Sequence, residues 1–146
     1  MSREGVEIVR GLYDDLSSGD LAAVEAKLGV GVEWDTQARG SDGALVYGVE
    51  GVANTIREWL EAWEDATFEV LEIRDAGDQI AAHLRQHARA KISGIEGDVD
   101  AYASFRISDG EIVGYREHST WSAALASVGL STAPTRAPVD GDVTAF

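Results

Sequence analysis

The chain predicts an α+β domain in which about three helices come first and a run of long antiparallel strands follows. Three observations carry this. Apolar residues recur at helical spacing from about Gly5 to Ser18 and again from about Glu50 to Asp65. From Thr67 onward apolar and polar residues alternate instead. Turn signals separate the alternating stretches, the clearest being Asp109-Gly110.

The first helix presents Val6, Val9, Tyr13 and Leu16, with Ile8 and Leu12 beside them. Gly19 is suited to a left-handed stop, and Asp20 to capping the next helix. That second helix is short, Leu21 to Leu28, ended by Gly29 and Gly31. Val32-Glu33-Trp34-Asp35-Thr36 alternates and reads as a strand. Gln37 to Tyr47 holds Gly40 and Gly43, with Gly48 just beyond, and predicts a loop or loose hairpin. The long helix from Glu50 to Asp65 carries a wide stripe of Val52, Ile56, Trp59, Leu60 and Trp63. Strands are expected over Thr67–Arg74, Gln79–Ser93, Asp98–Ser108 and Glu111–Thr120, and a last short helix over Ser122 to Val128. A sheet of this length needs its apolar face covered, and a strongly twisted one curling round the helices makes a cone with a cavity at the open end. The domain is expected over residues 6–130. From Ser131 both prolines appear, among Thr, Ala, Gly and Asp, and residues 131–146 read as a C-terminal tail.

Composition narrows the function. The 146 residues include 26 acidic against 12 basic side chains, for a formal charge of −14. Nucleic acid and anionic membranes are bound through clustered Lys and Arg, so neither is an expected partner. The absence of cysteine excludes disulfides, thiolate metal sites and a cysteine nucleophile. No apolar run approaches the ~20 residues of a membrane span. The first residues show no apolar signal core, and a cytoplasmic protein is expected.

Several stretches resemble a known family. Leu12-Tyr13-Asp14-Asp15-Leu16-Ser17-Ser18-Gly19-Asp20 is similar to the opening helix pair of the NTF2-like (ketosteroid isomerase-like) superfamily, and Val32-Glu33-Trp34 to its first strand. Tyr47-Gly48-Val49-Glu50-Gly51-Val52 looks like the lead-in to its long helix. Asp75-Ala76-Gly77-Asp78-Gln79-Ile80 and Ser108-Asp109-Gly110-Glu111-Ile112-Val113 resemble its two hairpin corners. Arg116-Glu117-His118, Ala123-Ala124-Leu125 and Val128-Gly129-Leu130 resemble the closing strand and helix of the SnoaL-like branch. The resemblance spans Val6 to Leu130. It implies the NTF2-like cone, a curved and mostly antiparallel sheet wrapped around the N-terminal helices. It does not fix an activity, since such folds host isomerases, cyclases, hydrolases and non-catalytic domains.

Family positions transfer one at a time. The oxyanion-donating tyrosine of the steroid isomerases falls on Leu12, with Tyr13 one residue away and turned by about 100°. Their carboxylate base falls on Trp34. Their second acid, and a histidine of many SnoaL-like cyclases, fall near Ala103. Leu, Trp and Ala move no proton, which argues against steroid isomerisation itself. The cyclases' aspartate on the last strand corresponds to Glu117. Alternation puts Val113, Tyr115 and Glu117 on one side of that strand. If this side faces the cavity, Glu117 is a candidate general base with Tyr115 as donor. The alternative is a structural carboxylate paired with an arginine, or a solvated one.

The resemblance therefore implies a small hydrophobic ligand, a pocket lined by Trp34, Leu12, Ala103, Phe105, Ile56 and Trp63, and isomerase- or cyclase-type acid–base chemistry. The competing expectation is a non-catalytic dimerisation or ligand-sensing domain with its cavity packed shut. His83 and His87 are four apart, but on a strand this is about 13 Å, too far for one metal ion. Gly48-Val49-Glu50-Gly51 lacks the Lys-Ser/Thr of a phosphate loop. No metal or cofactor is expected. The stripe His83, Arg85, His87, Arg89 falls on a polar strand face, with Tyr102, Ser104, Arg106, Arg116 and His118 on neighbouring strands. Family members commonly pair through such a face. A homodimer is implied, with His83, Arg85, His87, Arg116 and His118 in its interface, the alternative being an ordinary solvated face.

Overall fold

A computed structural model describes residues 2–131 of the chain. Helix α1 spans Ser2–Ser18 and buries Val9, Leu12, Tyr13 and Leu16, the stripe set by its period. Gly19, at φ 73°, ends it, and the Asp20 carboxylate accepts from Ala23 N to cap α2, Leu21–Ala26. Strand β1 covers Leu28–Asp35. A 3-10 segment, Gln37–Asp42, kinked at Gly40, leads to β2, Leu45–Tyr47, and α3 follows at Val49–Ala62. Four long strands come next: β3 (Trp63–Asp75), β4 (Gln79–Ala90), β5 (Glu96–Ser108) and β6 (Glu111–His118). Helix α4, Trp121–Ser127, closes the described chain, capped by the Thr120 hydroxyl, which accepts from Ala123 N.

The six strands form one sheet in the order β2-β1-β6-β5-β4-β3. All neighbours are antiparallel except β1 and β6. Register shifts interrupt β1, β3 and β5, and each such irregularity adds bend and twist. The sheet thus curves around α1 and α3. Alternation then decides what enters the core: Ile80, Ala82 and Leu84 of β4 and Ala103 and Phe105 of β5 point at the helices. Ala81, on the opposite side, packs instead with Leu125 of α4 and with Val128 just past its end. Asp109 (φ 51°) and Gly110 (φ 76°) form the β5–β6 turn, as their dipeptide signals.

Several boundaries move by a few residues, and two of them move residues from a helix to a strand. The second helix stops at Ala26, and Leu28, Gly29 and Gly31 belong to β1. The glycines mark the irregular stretch where β1 meets β6. A Cβ on Gly29 would lie 3.1 Å from Val113 Cγ1, so a small residue lets the two strands close up. The third helix ends at Ala62, because Trp63 pairs with Ala90 and starts β3. Asp65, at φ 55°, lies in the irregular stretch that follows. The expected tail from residue 132 onward lies outside the described residues. No helix among the described residues is long and apolar enough to cross a membrane.

Candidate functional site

The open end of the curved sheet holds two adjoining chambers. The inner one, about 60 Å³, is walled by Leu12 and Tyr13 of α1, Ile56 and Trp59 of α3, Trp34 of β1 and Tyr115 of β6. The outer one is a bowl of about 860 Å³, walled by Trp59 again and by Trp63, Tyr102 and Asp42. Arg39, Thr55, Gln86, Ala101 and Glu117 border both.

The parallel β1–β6 pairing sets Trp34 opposite Tyr115, and the two rings stack with centroids 3.9 Å apart and planes 21° from parallel. Two residues on, Glu117 shares the Tyr115 face. The Tyr115 hydroxyl donates to Glu117 Oε2 at 2.6 Å. Arg39, on the 3-10 helix, completes the cluster. Its Nε donates to Oε1 and its Nη2 to Oε2, both at 2.6 Å. Such a two-pronged, charge-assisted contact fixes the carboxylate plane as well as its position. Burial works against the Arg39 charge, but the Glu117 hydrogen bonds and charge outweigh it and raise its pKa. The Tyr115 pKa is raised well above the ordinary phenol value, first by burial and then by the Glu117 charge.

Tyr13 is 3% exposed, and its hydroxyl is buried beside that of Tyr115. Its pKa is also raised, by burial first and the Glu117 charge second, with a hydrogen bond to the Tyr115 hydroxyl acting the other way. The phenol is therefore protonated. Tyr13→Phe is expected to cost about 0.5–1.5 kcal/mol, the net worth of one buried hydrogen bond with the Tyr115 hydroxyl. A thermal melt checks this; a gain in stability would show that the hydroxyl is unpaired in the folded protein.

The loop carrying Arg39 is tightly anchored. Thr36 N donates to Ala44 O at 2.8 Å, and Thr36 Oγ1 both donates to Ala44 O and accepts from Ala44 N. Gly43 sits against this anchor: a Cβ there would lie 2.0 Å from Thr36 O, a backbone atom that cannot yield. Gly43→Ala is expected to displace the loop, break the Arg39–Glu117 fork and cost at least 2 kcal/mol, in the range of overpacking substitutions. Urea denaturation with the Arg39→Ala variant alongside separates the loop's cost from the ion pair's.

Of the expected lining residues, Leu12, Trp34 and Ile56 wall the inner chamber and Trp63 the bowl. Ala103 and Phe105 instead lie in the core behind the wall, Phe105 packed at 5.2 Å behind the Tyr115 ring. Glu117 and Tyr115 meet at the boundary between the chambers. Sequence reasoning missed Arg39. Only the alternative of an arginine-paired carboxylate pointed toward it, without saying which arginine.

The outer sheet face carries both signs of charge. His83 lies opposite Tyr102, with ring centroids 4.8 Å apart. Arg85, His87 and Arg89, however, pair with Asp100, Asp98 and Glu96 of β5. Arg85 Nε reaches Asp100 at 3.0 Å, His83 reaches the same carboxylate at 3.1 Å, and His87 meets Asp98 at 2.5 Å. Acidic residues thus sit on the strands too, directly across from the bases. Arg116 faces Asp35 at 3.5 Å. His118 bonds Ser104 at 2.9 Å, and burial, then the Arg116 charge, lowers its pKa.

The family model for the SnoaL-like domain matches residues 9–115. The chain belongs to the SnoaL-like family. This SnoaL-like chain also resembles solved structures across most of its length. A Catenulispora acidiphila protein with a ketosteroid isomerase-like fold, in complex with trimethylamine, is 18% identical at TM-score 0.71, covering 85% of this chain and 93% of that one. An NTF2-like protein of unknown function from Burkholderia pseudomallei is 20% identical at TM-score 0.71, covering 89% and 98%. A Mycobacterium tuberculosis protein in complex with estradiol-17β-hemisuccinate is 17% identical at TM-score 0.70, covering 80% and 94%. At these identities the likeness concerns the fold alone, which is NTF2-like. No curated protein matches the chain.

Proposed function

We propose that the protein binds a small hydrophobic molecule in the paired chambers, with Glu117 and Tyr115 as the acid–base pair that acts on it. One observation carries this reading: Glu117, held by Arg39 and Tyr115, borders both an aromatic inner chamber and a bowl large enough for a small organic molecule. The fold neighbours crystallised with trimethylamine and with a steroid ester support small-molecule binding. The chemistry is of the isomerase or cyclase kind, in which a carboxylate takes a proton and a phenol steadies the developing oxyanion. For Glu117 to act as base, Arg39 must release one prong of its fork.

A second reading has its own support. Trp34 stacked on Tyr115 leaves the inner chamber small, and three hydrogen bonds occupy Glu117. A sensing domain without turnover would look like this. Both readings require a ligand. Three of the four tryptophans line the chambers, so binding is expected to change their fluorescence. Screening hydrophobic ketones, quinones and amines by fluorescence and thermal shift tests it. A ligand at 100 times its Kd adds about 2.7 kcal/mol of stability. A panel in which no compound gives a saturable change would sink the proposal.

We also infer a homodimer through the outer sheet face, around His83, Arg85, His87, Arg116 and His118. Bases and acids alternate there, and an alternating face is complementary to itself across a two-fold axis. Sedimentation equilibrium giving 15.6 kDa at micromolar concentration would contradict it.

A further inference from the structure

One polar side chain on the chamber walls stands apart from the Glu117 cluster. The inward row of β4 reads Ile80, Ala82, Leu84, Gln86 and Ala88, alternate residues of one face. The other four are buried and apolar, and Gln86, half-buried, is the exception. It borders both chambers, as Glu117 does. Its cross-strand neighbours are Phe68 of β3 and Val99 of β5, whose side chains offer an amide nothing to bond. The Gln86 amide has no hydrogen-bond partner among the described residues. Other polar groups at this junction are already committed: Arg39 and Tyr115 to Glu117, and the Thr55 hydroxyl to Gly51 O. A carboxamide carries two donors and an acceptor, and one half out of water gains from a polar group that a ligand brings to it. Gln86 pairs with Val99 and Glu117 with Ala103, so the line between them crosses β5 at Ala101. Ala101 also borders both chambers, and its methyl group leaves that line clear.

We propose that Gln86 is the residue that selects the ligand, bonding one end of it while Glu117 and Tyr115 meet the other. The ligand is then a hydrophobic body with a polar group at each end, the one at Gln86 a hydroxyl or a carbonyl. The registers set the span. The two backbones lie two strands apart across the sheet, about 10 Å, and four residues apart along it, Val99 to Ala103, about 13 Å. Polar groups on neighbouring atoms of a ligand cannot meet both residues. The proposal rests on the small-molecule reading above and adds the number and spacing of the ligand's polar groups.

Three probes on one biphenyl body test this: 4-phenylphenol with a single hydroxyl, biphenyl-4,4′-diol with one at each end, and biphenyl-2,2′-diol with both beside the central bond. Binding is measured by calorimetry to the unmodified chain and to Gln86→Leu and Gln86→Met, with a thermal melt of each variant to establish that it is folded. The 4,4′-diol is expected to bind the unmodified chain about fivefold more tightly than 4-phenylphenol, the gain of one neutral hydrogen bond. Its symmetry alone supplies only about twofold of this, since either end can enter first. The 2,2′-diol should bind no more tightly than 4-phenylphenol. In both variants the gain of the 4,4′-diol should shrink to the factor set by symmetry, while 4-phenylphenol keeps its affinity. A gain no larger than that factor in the unmodified chain, or a full gain that survives in a folded variant, overturns the inference and leaves the binding reading standing. If no biphenyl binds while another hydrophobic compound does, the two variants are measured with that compound, and an unchanged affinity overturns the inference in the same way. If nothing binds at all, both fall together.

Discussion

Glu117→Gln is expected to slow the turnover of any substrate found for the chambers by about 10²–10⁴-fold, the range set by losing a positioned acid–base group. The amide keeps the volume of the carboxylate and can still accept from Tyr115, so the fold should stand. It cannot take a proton, and it offers Arg39 one acceptor oxygen where the carboxylate offered two. Arg39 is partly exposed and can turn to water, so the stability cost should stay near 1–2 kcal/mol. Single-turnover rates and a thermal melt on the same preparation separate the two effects. A variant with full rate would show that Glu117 only anchors Arg39. Saturable binding by the unmodified protein with no turnover of any compound tested would favour the sensing reading.

Phe105→Ala carries the largest expected loss of stability, about 3–5 kcal/mol. Phe105 is 2% exposed and packs edge-on against Tyr13, with centroids 6.0 Å apart, and against Tyr115 at 5.2 Å. Truncation opens a void that β5 cannot collapse to fill, because its neighbours on both sides are paired along most of its length. For a domain of this size the melting temperature should fall by roughly 10–20 °C. The void also frees both tyrosine rings from their backing, so ligand affinity should weaken although Phe105 itself lines neither chamber. Phe105→Leu should recover more than half of the stability. A loss below 1 kcal/mol for the alanine variant would mean that this part of the core repacks freely.

Local signals were readable where one element decides its own shape. The stripe Val9, Leu12, Tyr13 and Leu16 marks α1, Gly19-Asp20 marks the break after it, and Asp109-Gly110 marks the last hairpin. Alternation along β6, with the family resemblance, brought Tyr115 and Glu117 forward as candidates. What escaped depends on partners far along the chain. Gly29 and Gly31 look like a stop until β6 lies beside them. Trp63 fits the helical stripe until Ala90 pairs with it. Arg39 sits in a glycine-rich loop with no pattern of its own, and its partner is 78 residues away. The acids facing Arg85 and His87 likewise gain meaning only from the β4–β5 register.

The Arg39–Glu117 fork also dates the site within the life of the molecule. Its two halves leave the ribosome roughly 4–16 s apart at about 5–20 residues per second. Over that interval the Trp34 ring has no Tyr115 to lie on, and Arg39 has no carboxylate to hold. The parallel β1–β6 seam that unites them closes a long loop, which is the slow kind of step in folding. The nascent chain therefore carries an unfinished aromatic hollow, and the ability to bind appears only when the last strand docks.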